Sequence, residues 1–231
     1  MPARSVLSPI TTTSLRERVY DILREALDRA ELSPGETIDL NAVCRTLGVS
    51  KTPLREALLR LEAEGFVTIK PRSGVKVTTL REGDIRNLYQ MIGALESSVL
   101  LQESDRISGE RIAVMRRCHD AMDSAIKSGD FELYYSANLA LQDGYLALSA
   151  NTELKRHVQV MKQRLYDFPK KKDLLIEWEA STTKEHGAII GHLEQGDAVT
   201  AAEIVRDVHW SFRVQERFIR IYYRDELESA G

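Results

Sequence analysis

Apolar residues recur at helical spacing along most of the chain, with one short interval where the period drops to two. Ser14 is placed to cap a first helix whose inward stripe is Leu15, Val19, Ile22, Leu23, Ala26, Leu27 and Ala30, closed by Ser33-Pro34-Gly35. Ile38 to Leu40 reads as a short extended segment, and Asn41 as the cap of a second helix that runs through Leu47 and buries Val43, Cys44 and Leu47. A third helix follows the Leu47-Gly48-Val49 turn. Ser50 takes the N-cap position, Pro53 sits in the first turn where its missing N–H is harmless, and Leu54, Ala57, Leu58 and Leu61 form the stripe that Gly65 stops. Alternation then takes over: Phe66–Lys70 and Val75–Thr78, joined by Pro71-Arg72-Ser73-Gly74, predict a β-hairpin. Three short helices followed by a hairpin have the form of a winged helix-turn-helix.

Beyond Thr78 the period is helical throughout. Predicted segments are Asp84–Glu103, with Ile85, Leu88, Ile92, Leu95 and Val99 in register, then Ser108–Lys127, Phe131–Leu148, Glu153–Tyr166, Leu174–Leu193 and Ala198–Tyr223. Phe168-Pro169 and the solvated run Lys170-Lys171-Lys172 interrupt the fourth and fifth of these. Amphipathic helices joined by short loops pack as an antiparallel bundle. The expected architecture is therefore mainly α: a disordered lead-in over 1–13, a winged helix-turn-helix over 14–79, a boundary near Thr79–Gly83, and a helical bundle over 84–223.

Composition narrows the class. At 231 residues there is enough chain for two cores, and 43% hydrophobic with 29% charged residues is ordinary for a globular protein. No apolar run reaches the roughly 20 residues a membrane span requires, and the N-terminus lacks the apolar core of a secretory signal. Cys44 and Cys118, far apart and without a CxxC pair, read as reduced core thiols of a cytoplasmic protein. A net charge of −3 argues against nucleic acid until its distribution is considered, because residues 50–76 hold 6 basic against 3 acidic side chains. The basic excess is local, which suits phosphate contacts over a small footprint.

The run Leu47-Gly48-Val49-Ser50-Lys51-Thr52-Pro53-Leu54-Arg55-Glu56-Ala57-Leu58, with Glu64-Gly65-Phe66-Val67 and the wing, resembles the signature of GntR-family bacterial transcription regulators. The helical half is similar to the effector-binding (FCD) domain of the FadR subgroup, through Leu95-Glu96, Asn151, Glu185-His186, Gly196-Asp197 and His209. Together these cover the chain from Ser14 onward. The resemblance implies a cytoplasmic homodimer that binds double-stranded operator DNA under the control of a small-molecule effector, an organic acid or related metabolite. It implies no catalysis: no HExxH, nucleophile–base pair or Gly-rich phosphate loop accompanies the histidines.

Carried over by position, Ser50, Lys51, Thr52 and Arg55 would meet bases and phosphates, and Arg72, Ser73 and Gly74 would put the wing tip into a minor groove. Lys51 stands where many members have Arg, and lacks the planar two-pronged contact. Asn41 stands where one member has an operator-contacting Arg, and is read here as a cap. Ser50 serves equally as a helix cap or a phosphate ligand, and Arg60, further along the helix, is read as an ion-pair partner.

In the bundle the resemblance implies a divalent metal, Zn or Ni, held by an Asp or Asn, a His four residues on, and two later His. The matching positions are Asn138, Gln142, His186 and His209, so Asn138, His186 and His209 remain as metal ligands and Gln142 replaces an imidazole with an amide. The alternative is that His186 and His209 hydrogen-bond within the bundle or directly to the effector. Ile92 occupies the place of an acid-anchoring Arg, leaving Arg164 as the candidate cation, and Tyr134, Tyr135, Tyr145 and Trp210 are pocket or core aromatics.

Overall fold

The computed structural model describes residues 14–167 and 175–229. The expected lead-in over 1–13, the Phe168-Pro169 break and the lysine run lie outside them. The chain divides into two compact units, residues 1–78 and 79–231.

The first unit opens with α1 (Leu15–Asp28), where Ser14 and Glu17 cap each other: the Glu17 amide donates to Ser14 Oγ, and Glu17 Oε2 accepts from the Ser14 amide at 2.8 Å. Val19, Leu23 and Leu27 face inward as expected, but Leu15 and Ile22 are about half exposed. Tyr20 and Arg24 take their place on the buried face. The Tyr20 hydroxyl donates to Glu64 at 2.6 Å, and Arg24 stacks 3.8 Å over the Phe66 ring. The helix ends at Asp28, well before the Ser-Pro-Gly stop.

Two further corrections concern the next stretch. The extended segment is β1 (Thr37–Ile38) alone, and Leu40 already belongs to α2 (Leu40–Leu47). The cap of α2 is Asp39, not Asn41: its carboxylate accepts the amides of Asn41 and Ala42 at 2.9 and 3.0 Å. A carboxylate at a helix N-terminus is favoured over an amide by the dipole, and those amides hold the Asp39 carboxyl below its usual range. Val43, Cys44 and Leu47 are only half-buried. Cys118 is likewise half-buried, so neither thiol is a core residue, and both are free.

Helix α3 (Lys51–Ala63) buries Leu54, Ala57, Leu58 and Leu61 against α1, the stripe read from sequence. Each of those leucines contributes about 1.5–3 kcal/mol through burial. Gly65, at φ 84°, lets the Phe66 amide return to the Leu61 carbonyl at 2.8 Å. Strands β2 (Val67–Lys70) and β3 (Gly74–Val77) form the hairpin in register Val67↔Val77 and Ile69↔Val75, and β1 adds to the other edge of β3. Val67, Val75 and Val77 point inward, while Lys70, Arg72 and Lys76 are exposed.

The second unit is a helical bundle: α4 (Glu82–Glu103), a short 3₁₀ turn over Ser104–Arg106, α5 (Gly109–Ser128), α6 (Phe131–Leu146), α7 (Thr152–Asp167), α8 (Ile176–Glu194), α9 (Ala198–Ile204), α10 (Phe212–Tyr222) and α11 (Arg224–Ser229). Ser108, Asp130, Asn151 and Asp197 each accept an amide of the turn they open. Helix α4 packs against α7 and α9, and α5 against α6 and α8.

The single helix expected over Ala198–Tyr223 is broken. Val205–His209 forms a π turn between α9 and α10, with the Trp210 amide reaching the Val205 carbonyl at 2.9 Å. The extra residue rotates the side chains that follow it, and it buries both His209 and Trp210. Gly93 makes room for this turn: a Cβ there would lie 2.9 Å from that of Trp210.

Candidate functional site

Each unit holds one constellation that packing alone does not call for. In the first, the N-terminus of α3 is open. Ser50 has the extended backbone of an N-cap (φ −76°, ψ 169°), but its side chain makes no capping bond, contrary to the capping role expected for it. The first-turn amides of α3 are therefore left for another acceptor, and no acidic residue occupies that turn. Lys51, Thr52 and Arg55 are exposed on it, and among the described residues neither cation has an ion-pair partner. Arg60 differs: it pairs with Glu64 at 3.1 Å and stacks 3.6 Å over Tyr20, the structural role expected of it. At the wing tip Arg72, Ser73 and Gly74 are exposed, with Arg72 at φ 65° turning the chain. Open amides, two unpaired cations and hydroxyls make a surface suited to phosphate.

In the second unit, polar side chains of α4, α6, α7, α8 and the π turn meet in the core. Asn138 and Gln142, one turn apart on α6, are both buried, and Gln142 Nε2 donates to Asn138 Oδ1 at 3.3 Å. His186 Nε2 lies 2.8 Å from Asn138 Oδ1, and His209 Nε2 lies 3.3 Å from Gln142 Nε2. The two imidazoles are 4.5 Å apart between centroids. The four residues singled out by sequence are thus brought together. Burial, then His209 and Lys162, hold the His186 imidazole well below the ordinary histidine range, so it is neutral near pH 7.

Around them stand residues to which the sequence reading gave no part in the site, Glu96 and Glu185 having entered it only as marks of the family resemblance. Glu96, on the buried face of α4, accepts from the Tyr145 hydroxyl at 2.6 Å and from Trp210 Nε1 at 2.9 Å, and pairs with Lys162 at 2.5 Å. Lys162 also donates to Gln142 Oε1. Glu185 accepts from His209 Nδ1 and from Gln215, both at 2.9 Å, and Trp178 Nε1 donates to Gln215 Oε1 at 2.9 Å. A signal for the ion pair exists in the chain: Glu96 follows Ile92 by four residues and Lys162 follows Val158 by four. Each places a charge on an apolar stripe.

A cavity of about 70 Å³ adjoins this centre. Aromatic rings, among them Tyr89, Tyr134, Tyr166, Trp178 and Trp210, supply much of its wall, with Asn138, Glu179, His209 and Gln215 as polar points. Burial raises the Glu179 carboxyl to about 7. Tyr145 does not reach the cavity; it is a core residue. Arg164 is not among the lining residues either. It is half-buried near the end of α7, its Nε without a hydrogen-bond partner, and burial lowers its guanidinium below the usual value.

Comparison with known proteins matches residues 15–77 to the model for bacterial regulatory proteins of the gntR family, and residues 87–209 to the FCD domain. The chain is a gntR-family regulator with an FCD domain. Among its relatives, the Nta operon transcriptional regulator of Aminobacter aminovorans is 33% identical over 57% of this chain and 62% of its own length. The HTH-type transcriptional repressor RspR of Escherichia coli K12 is 24% identical over 87% of this chain and 89% of its own. Among solved structures, E. coli McbR/YncC shares the fold at a TM-score of 0.67 and 18% identity, over 93% of this chain and 99% of its own. A GntR regulator from Rhodococcus sp. RHA1 does so at 0.65 and 18%, over 94% and 99%. As a gntR-family member the chain is a transcription regulator and not an enzyme. No helix among its described residues is long and apolar enough to cross a membrane.

Some FCD domains bind metals, but the donor set of this one does not suit that chemistry. Among the described residues no three His, Cys, Asp or Glu side chains are placed to hold an ion. The cluster offers two imidazoles and two neutral amides, and the amides are weak partners for Zn or Ni. The residues do not fit the metal.

Proposed function

We propose that this gntR-family regulator acts as a cytoplasmic homodimer that reads a palindromic operator with α3 and the wing, and that a small organic effector in the FCD cavity sets its affinity for that operator. The observation that carries the DNA-binding reading is the open, exposed start of α3, where Lys51 and Arg55 have no ion-pair partner beside first-turn amides that lack a cap. Lys51 and Arg55 reach base edges or phosphate, Ser50 and Thr52 hold phosphate oxygens, and Arg72, Ser73 and Gly74 enter the neighbouring minor groove. Residues 14–79 form the DNA-binding domain and 84–223 the effector and dimerisation domain. Two copies related by a two-fold axis meet two half-sites, since protein symmetry imposes operator symmetry.

The effector contacts Asn138 and His209 at the floor of the cavity and stacks on the aromatic wall, a combination suited to a small metabolite with a flat apolar part and a polar end. Gln142 and His186 lie behind and orient those two. By preferring one arrangement of the bundle, the ligand shifts the population of DNA-competent dimers.

Selection from random duplexes yields the operator, and binding of Lys51→Ala with Arg55→Ala to it tests the reading. Loss of operator binding is expected, with helical content and dimer mass unchanged. Retained affinity removes α3 as the reading element.

A further inference from the structure

The cluster of Asn138, Gln142, His186 and His209 lies where other FCD domains can hold a metal, and in this chain a lysine from a different helix is hydrogen-bonded into it. We infer that Lys162 fixes the orientation of Gln142 and so turns the cluster into a closed, directional hydrogen-bond network that takes no divalent ion, the domain's own ammonium group standing in for the metal's charge. This deepens the effector-domain reading, on which its relevance to regulation rests.

A lysine ammonium has hydrogens to give and no lone pair. Lys162 is 5% exposed, donates to Gln142 Oε1 and is ion-paired with Glu96 Oε1 at 2.5 Å. The oxygen of the Gln142 amide must therefore face Lys162. The reversed amide would set NH2 against ammonium on two buried side chains, leaving that contact two donors and no acceptor.

With the oxygen committed, the Gln142 NH2 faces Asn138 Oδ1 and His209 Nε2, each at 3.3 Å. An amide NH2 has no electron pair to offer a metal.

The remaining positions follow. His209 Nε2 accepts from Gln142, so its proton is on Nδ1, facing Glu185 Oε2 at 2.9 Å. Asn138 Oδ1 accepts from Gln142 and lies 2.8 Å from His186 Nε2, which must then carry the His186 proton. His186 Nδ1 is buried without a hydrogen-bond partner, as a nitrogen lone pair on the far side of that ring would be. Every inward-facing atom of the four residues is a hydrogen or an acceptor already engaged. The order of donation ends at Glu185, whose carboxylate accepts from His209 on one side and from Gln215 on the other, while Gln215 Oε1 accepts from Trp178, a wall of the cavity. The polarity set at Lys162 thus runs as far as Glu185, by way of His209, itself a lining residue of the cavity.

Two measurements on the full-length wild type, neither needing DNA nor effector, test this apart from the regulator reading. After EDTA treatment and its removal, Ni2+ or Zn2+ is titrated by calorimetry and followed by thermal unfolding. The expected result is no one-to-one binding at the cluster and no rise in Tm. Binding that survives both His186→Ala and His209→Ala lies elsewhere and agrees with it. One equivalent bound with a rise in Tm, lost in both substitutions, overturns it. Long-range 15N–1H spectra of the imidazoles of the metal-free protein then read the tautomers: Nδ1–H for His209 and Nε2–H for His186 are expected, and an Nε2–H form of His209 overturns the assigned polarity.

Discussion

Lys51 and Arg55 stand exposed at the mouth of α3 without an acidic partner among the described residues, whereas Lys162 is buried in α7 between Glu96 and Gln142. The difference follows from solvent. A surface cation keeps its hydration and costs nothing unpaired, so it remains free to meet a phosphate when DNA arrives. A buried cation must be paired, and once paired it dictates how its neighbours orient. The first arrangement leaves the cation open to an external partner; the second, on our inference, makes an internal one unnecessary. The two units of this regulator therefore use the same kind of side chain for opposite ends.

The largest expected effect breaks the buried side of this contrast. Lys162→Met leaves Glu96 charged and unpaired in the core, and should lower the free energy of unfolding by about 3–5 kcal/mol. Adding Glu96→Gln should return most of it, because the acceptor of Tyr145 and Trp210 is kept without the charge. Urea denaturation of the single and double variants measures both, and equal stability of the two would mean that the ion pair is not what holds this core.

On the exposed side, Arg55→Ala should weaken operator binding by about 1–3 kcal/mol while changing unfolding by no more than about 0.5 kcal/mol. Fluorescence anisotropy against salt and a denaturation curve separate the two readouts. A stability loss larger than the binding loss would place Arg55 with Arg60 as a structural side chain.

A smaller effect sharpens the comparison at the cavity wall. Burial raises Glu179 to about 7, so the folded chain holds this proton more tightly than the unfolded chain does. The stability tied to it is present at low pH and is lost as pH rises from about 4.5 through 7. His186, pushed downward by burial, acts in the opposite sense, since its contribution is lost as pH falls below 6.5. The difference between wild type and Glu179→Gln isolates the first limb. It should amount to about 1–2 kcal/mol across that window after discounting for the solvent Glu179 still touches. Parallel pH profiles would show that the carboxylate is solvated in the folded protein.

How much of this was legible beforehand varies with the kind of evidence each element left in the chain. The stripe Leu54, Ala57, Leu58, Leu61 and the hairpin around Arg72 were readable because local spacing and burial coincide there. The cap of α2 was misassigned to Asn41 because two polar residues flanking Leu40 compete, and the choice falls to the better acceptor, Asp39. The break at Val205–His209 left no mark: Ala198–Tyr223 contains neither proline nor glycine, and the π turn is accommodated by Gly93 on another helix. Asn138, Gln142, His186 and His209 were found by resemblance, but of the residues that define their chemistry Glu96 and Lys162 belong to other helices, and Glu185, though it adjoins His186, was read only as a mark of that resemblance.

The sequence alone determined the winged helix-turn-helix, the bundle and the gntR-family assignment, because each rests on periodicity, caps and a contiguous motif, and these act between near neighbours along the chain. Only the tertiary structure decided which charges are spent inside the protein and which are left for a partner. Lys51 and Lys162 are the same residue by composition. Their difference arises from burial, which sets the cost of an unpaired charge, and burial is a property of the packed fold.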